Sequence, residues 1–218
     1  MLRIDKLKIP NVPTLSFSIA DGTCWSIEGP SGSGKTRILR AIADLEPSSG
    51  QIFLNGIERN EIPGFDWRRQ VRYVSAEPGW WTPTARQAIP KNCTEAVERL
   101  CSRLGLDPEL LDRDIDVVST GERHRLALAL ALSDDPPVLL LDEPTGNLDA
   151  GNTALIEEQI RYLRISDRII VLVSHDKAQI ERLADQRLQL APDVKKANAD
   201  APEPTTLPAP TIEKVGRP

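Results

Sequence analysis

The sequence predicts an α/β fold, and three observations carry that prediction. Val138-Leu139-Leu140-Leu141 and Ile169-Ile170-Val171-Leu172-Val173 are unbroken apolar runs of strand length, the pattern of strands covered on both faces in a parallel sheet. A glycine-rich stretch, Gly29-Pro30-Ser31-Gly32-Ser33-Gly34-Lys35-Thr36, lies between a strand-like segment at 23–28 and a helix-like segment at 37–43. Between about 84 and 116 the spacing turns helical, which marks a small helical insertion into the α/β core.

In chain order, 2–9, 14–19 and 24–27 read as short strands, with Asp21-Gly22 turning between the second and third. The helix at 37–43 gives way to a break at Glu46-Pro47-Ser48-Ser49-Gly50, and 51–56 is a strand closed by a turn. Val71-Arg72-Tyr73-Val74 is the next strand. Over 94–104, Ala96, Val97, Leu100, Cys101 and Leu104 share one helical face, and Gly105 ends the helix. A further helix over 121–132 carries Leu126, Leu128, Leu130 and Leu132. Six of the chain's eighteen prolines follow Ala191 without apolar periodicity, so 191–218 is expected to be a disordered, Pro/Ala-rich tail.

Composition excludes more than it identifies. At 218 residues the chain can bury the core of one large domain. A net charge of −5 argues against a dedicated nucleic-acid binder, so no nucleic acid is expected as partner. No run approaches the roughly 18 to 20 apolar residues needed to cross a bilayer, and Met1-Leu2-Arg3-Ile4-Asp5-Lys6 lacks the apolar core of a signal peptide. Cys24, Cys93 and Cys101 match no disulfide or metal-ligand spacing, which points to a reducing cytoplasm.

The glycine-rich stretch fits G-x-x-x-x-G-K-[ST] at every fixed position. Gly29 and Gly34 let the chain fold tightly, and Pro30, Ser31, Gly32 and Ser33 complete a loop whose backbone N–H groups converge on an anion. A helix starting near Lys35 adds its positive dipole end. Lys35 would reach the β- and γ-phosphates, and the Thr36 hydroxyl would hold Mg²⁺. Farther on, the strand Val138-Leu139-Leu140-Leu141 runs into Asp142-Glu143-Pro144. Asp142, at the carboxyl end of that strand, is placed to hold Mg²⁺ directly or through water, and Glu143 beside it can take a proton from attacking water.

These motifs, with three more in order, make the chain resemble an ATP-binding cassette (ABC) ATPase of small single-cassette type over roughly 2–190. Val118-Ser119-Thr120-Gly121-Glu122-Arg123-His124-Arg125-Leu126 resembles the family signature LSGGQ-R-Q-R-L. Gly146-Asn147-Leu148-Asp149 resembles its D-loop, and Val171-Leu172-Val173-Ser174-His175-Asp176 its switch segment. The resemblance implies a P-loop NTPase fold with a mixed sheet core, an N-terminal antiparallel β-subdomain and a short helical subdomain at about 78–132. The cassette would occupy 1–190, with the tail at 191–218. It also implies that Glu143 and His175 are catalytic, and that the phosphate loop, Ser119, Gly121 and Asp149 bind ATP with Mg²⁺. The expected partners are a second copy of the chain, whose Ser119 and Gly121 close on the nucleotide, and a membrane-spanning permease. That permease would hold the chain on the cytoplasmic face of the cell membrane. A soluble switch that holds ATP with little turnover is the rival reading.

Departures from the family pattern matter. Thr120 replaces the first signature glycine and Glu122 the glutamine, whose carboxylate must turn away from a triphosphate or find a partner such as Arg123 or Arg125. The Q-loop glutamine falls at Ala76, or at Glu77 with a shift of one, and of these only Glu77 could act on Mg²⁺. No aromatic residue occurs at 7–15, so adenine contact would rest on Ile9, Pro10 or Val12. Trp80 and Trp81 are candidates for the permease contact, with packing in the helical insertion as the alternative. His124 is expected to face solvent or a neighbour.

Overall fold

The computed structural model of the chain describes residues 1–146, 148–190 and 209–215. Four strands form an antiparallel sheet in the order β2-β1-β4-β5: β1 (Leu2–Lys8), β2 (Leu15–Ile19), β4 (Ser49–Leu54) and β5 (Ile57–Glu58). Its alternation is legible in β2, where Leu15, Phe17 and Ile19 are buried and the two serines between them are exposed. The second sheet runs β10-β9-β3-β8-β7-β6, built from β3 (Cys24–Glu28), β6 (Val71–Val74), β7 (Val138–Asp142), β8 (Ile169–Val173), β9 (Gln186–Gln189) and β10 (Thr211–Lys214). Within it β6, β7, β8, β3 and β9 pair parallel in that order.

The apolar runs behave as covered strands because each of their faces feeds a different core. Val138, Leu140, Ile169, Val171 and Val173 join the core between the two sheets, with α1 (Lys35–Ile42) and Trp67 of α2 (Gly64–Gln70). Leu139, Leu141, Ile170 and Leu172 face the other core, with α3 (Thr94–Arg103), α4 (Thr120–Leu132), α5 (Ala150–Ile165) and α6 (Lys177–Leu183). Each such side chain contributes roughly 1.5–3 kcal/mol by leaving water. Trp67 is fully buried and its indole N–H donates to the Ile42 carbonyl at 2.9 Å, which ties α2 to the end of α1.

Gly105 stops α3 as the sequence predicts, at φ +67°. The Leu106 N–H reaches the Cys101 carbonyl at 2.9 Å and the Gly105 N–H reaches that of Ser102 at 3.2 Å, the paired bonds of a Schellman end.

The expectation of a disordered tail is corrected at 211–214. There β10 pairs antiparallel with β9, with Ile212 opposite Leu188. An edge strand has unmatched N–H and C=O groups, and Thr211-Ile212 supplies a β-branched pair that can cover them. Of that stretch, 191–208 and 216–218 lie outside the described residues.

Candidate functional site

The parallel sheet gathers three segments at the carboxyl ends of β3, β7 and β8, where an α/β sheet offers its crevice. From β3 the chain enters the glycine-rich loop, and α1 starts at Lys35. Gly34 caps α1 at φ +94°, and a Cβ there would lie 2.5 Å from Val12 Cγ2, so glycine alone fits. Lys35 is buried, and its ammonium donates to the carbonyls of Gly29 (2.9 Å) and Pro30 (3.1 Å). Ser33 Oγ is buried without a hydrogen-bond partner, a hydroxyl that an anion in the loop would satisfy. Thr36 is exposed in the first turn of α1, among amides at the positive end of the helix.

Asp142 ends β7 and is 4% exposed, and its carboxylate accepts a hydrogen bond from the Tyr73 hydroxyl at 3.0 Å. Burial and the Asp142 charge push the Tyr73 phenol up to about 12, so it remains a donor. Tyr73 was not singled out by the sequence, although the parallel pairing of β6 with β7 sets it beside Leu140, two residues before Asp142. Asp142 offers a buried carboxylate and Thr36 a hydroxyl, the hard oxygen donors that magnesium arriving with phosphates takes. Among the described residues no cluster of three or more His, Cys, Asp or Glu could hold a metal alone.

Glu143 leaves the strand in a left-handed backbone, φ +50°, which costs a non-glycine residue energy and turns its side chain off the strand axis. Its N–H donates to the Val173 carbonyl of β8 at 2.9 Å. Its Oε2 accepts the His175 backbone N–H at 3.2 Å, and His175 Nε2 lies 3.4 Å from Oε1. Oε1 is buried and accepts no hydrogen bond within the chain, with the His175 imidazole facing it. Burial raises the Glu143 pKa above the ordinary glutamate value, while His175 and Lys35 act against that rise. Glu143 therefore feels Lys35, Asp142 and His175.

Ser119 and Gly121 form a separate cluster with the D-loop. Ser119 caps α4, and Glu122 completes a capping box by accepting from the Ser119 N–H (3.0 Å) and hydroxyl (2.5 Å). The signature glutamate thus turns back onto Ser119 instead of pairing with Arg123 or Arg125. A Cβ on Gly121 would lie 2.9 Å from Leu148 Cδ2, so signature and D-loop touch. Asp149 caps α5 through the Asn152 N–H at 2.9 Å, and Arg125 donates to the Asn152 side chain. Asn147 lies outside the described residues. Among those described, no hydrogen bond or ion pair joins Ser119 or Gly121 to the phosphate loop.

Other expected residues fall differently. Ile9 and Val12 are buried in the core between the sheets and only Pro10 is exposed, its carbonyl accepting from Arg37 at 2.5 Å. Ile9 and Val12 thus offer a base little surface, and Pro10 is the exposed one of the three. His124 is 4% exposed on α4, inside the second core region, and desolvation lowers its pKa. The expectation of a solvent-facing histidine is therefore corrected, since the fold encloses the ring. Glu77 is exposed just beyond β6, next to half-buried Ala76. Trp80 packs against the second core, whereas Trp81 is 81% exposed; both line a groove of about 610 Å³ with Phe65, Arg69, Arg72 and Lys91.

A family model described as ABC transporter matches residues 12–146. Protein STAR1 of Oryza sativa subsp. japonica is 37% identical over 181 residues, 78% of this chain and 52% of its own length. The glycine betaine/carnitine/choline transport ATP-binding protein OpuCA of Bacillus subtilis is 33% identical over 188 residues, covering 80% and 50%. The phosphate import ATP-binding protein PstB of Aeropyrum pernix is 34% identical over 202 residues, covering 81% and 79%. The chain spans about half the length of the first two of these relatives. In fold it is similar to the ATP-binding cassette MJ0796, solved as a dimer in a post-hydrolysis state with ADP and Pi. There the TM-score is 0.79 at 20% identity, covering 100% of both chains.

Proposed function

The chain belongs to the ABC transporter family, and from that premise we propose that it binds Mg²⁺-ATP and hydrolyses it between two copies of itself to power a separate permease. The observation that carries this reading is Glu143, whose Oε1 accepts no hydrogen bond within the chain while its other oxygen is held by the His175 N–H. A base in that state can accept the proton of a water that attacks the γ-phosphate. The Lys35 ammonium and the loop amides orient the triphosphate, and the His175 imidazole reaches the same edge of Glu143. Magnesium held by Asp142 and Thr36 would supply charge neutralisation to the phosphates. Tyr73 fixes the direction of the Asp142 carboxylate.

The separation of Ser119 and Gly121 from the loop supports a two-copy site, since a second chain could bring its capped helix start to the γ-phosphate. ATP would then join the copies and hydrolysis would release them. Phosphate release from Mg²⁺-ATP by the purified chain tests this function. Release that depends on Lys35 and Glu143 is expected; ATP binding without release would favour a nucleotide-dependent switch of low turnover.

No described helix is long and apolar enough to cross a membrane. In this reading the permease holds the chain at the cytoplasmic face. The groove under Trp81 suits that contact, with an exposed aromatic beside Lys91 and two arginines, Arg69 and Arg72, that pair with Asp134 in the same groove. Trp81→Ala is expected to release the chain from permease-containing membranes while ATP affinity and melting temperature stay near wild type. Trp80→Ala should instead lower the melting temperature, because Trp80 packs on the core. Retention of the Trp81 variant on membranes would remove the groove from the docking site.

Glu77 is the carboxylate nearest the missing glutamine in sequence, and we assign it a part in Mg²⁺ use. Glu77→Ala is expected to raise the Mg²⁺ concentration needed for half-maximal turnover, whereas Ala76→Gln should not. An unchanged Mg²⁺ titration would make Glu77 a surface residue.

A further inference from the structure

Two of the buried polar side chains outside the site described above lie on α5 and α6. Gln179 on α6 is 0% exposed and Glu157 on α5 is 4% exposed. Burying an amide and a carboxylate costs several kcal/mol unless both are satisfied, and here both are. Arg182 grips Glu157 through contacts of 2.6 and 3.0 Å, and Arg161 adds one of 2.9 Å. The Gln179 amide donates to the Thr145 hydroxyl at 2.9 Å and approaches Glu157 Oε1 at 3.5 Å. Thr145 lies two residues beyond Glu143, inside the turn closed by the Gly146 N–H to the Glu143 carbonyl at 3.0 Å. Gln179 lies four residues beyond His175, and its own N–H is bound by Asp176, which caps α6.

One side chain therefore bridges the two backbone segments whose alignment sets the Glu143–His175 contact. At one end of the switch segment, the Glu143 N–H holds the Val173 carbonyl. At the other, α6 is only seven residues long and needs a tether to stay in place. We propose that Gln179, itself fixed by Glu157, is a positioning residue that holds His175 in register with Glu143 through Thr145. Glu157, gripped by Arg182, accepts from the Gln179 NH₂ group, and the Thr145 hydroxyl is within reach of both the NH₂ (2.9 Å) and the amide oxygen (3.2 Å). This inference rests on the hydrolytic reading of Glu143 and His175, and its test separates the two.

Gln179→Met keeps the volume and removes the bond. Single-turnover ATP hydrolysis should fall roughly 10-fold to 10²-fold, as for a displaced catalytic group, with ATP affinity within about 2-fold. In the His175→Ala background the same substitution should cost nothing further, because residues that act as one unit are not additive. Thr145→Val should reproduce the loss, whereas Thr145→Ser should retain most of the rate, and this pair keeps the test if Gln179→Met fails to fold. A loss of equal size with and without His175, or an undiminished rate in both Gln179→Met and Thr145→Val, overturns the positioning role. Wild-type turnover in Glu143→Gln would instead overturn the hydrolytic reading beneath it.

Discussion

Glu143→Gln is expected to bind ATP as tightly as the wild type and to lose turnover by about 10² or more, the usual contribution of a positioned base. The substitution preserves shape and the acceptor for the His175 N–H, so the turn at φ +50° and its contacts with Val173 and Gly146 should persist. What it removes is the basic oxygen. In the native chain Oε1 is buried without a hydrogen bond, and desolvation raises the carboxylate's proton affinity, both of which suit a group that accepts a proton from water. Phosphate release measured at saturating Mg²⁺-ATP checks this, alongside equilibrium binding of a nucleotide analogue. Wild-type turnover in the variant would reassign Glu143 to a structural role.

Lys35→Ala is expected to act one step earlier, on binding. The ammonium is the cationic side chain of the loop, and a hydrogen bond to a charged group contributes about 1.5–3 kcal/mol, so ATP affinity should fall about 10-fold or more. The loop itself should survive. Its shape depends on Gly34 against Val12 and on the Ser33 N–H to Pro30, not only on the two bonds from Lys35 to the Gly29 and Pro30 carbonyls. Isothermal titration with ATP, next to a melting curve, separates these effects. Undiminished affinity in a folded variant would count against the loop as the triphosphate site.

Much of the fold was legible because its strongest signals are local. The runs in β7 and β8 announce strands covered on both sides, and the alternation in β2 announces an exposed face. Gly105 stops α3 for a backbone reason that single residues reveal. Elements whose stability comes from pairing were missed: β5 has two residues, β9 has one buried apolar side chain, and β10 exists through its register with β9. The loop and Asp142-Glu143 were legible as motifs, while the partners of those residues were not. Tyr73 reaches Asp142 through parallel register, and Gln179 reaches Thr145 across 34 positions. The burial of Ile9, Val12 and His124 likewise depends on what folds over them.

The central claim is that ATP is shared by two copies of the chain, each supplying a phosphate loop to one site and a capped signature helix to the other. Sedimentation equilibrium of Glu143→Gln with and without Mg²⁺-ATP tests it most directly, because the uncleaved nucleotide should hold the pair together. A monomer that becomes a dimer only with ATP, and that returns to monomer when Ser119→Arg is added, is the result this account predicts. A monomer at saturating ATP, or a dimer indifferent to both nucleotide and Ser119, would contradict it.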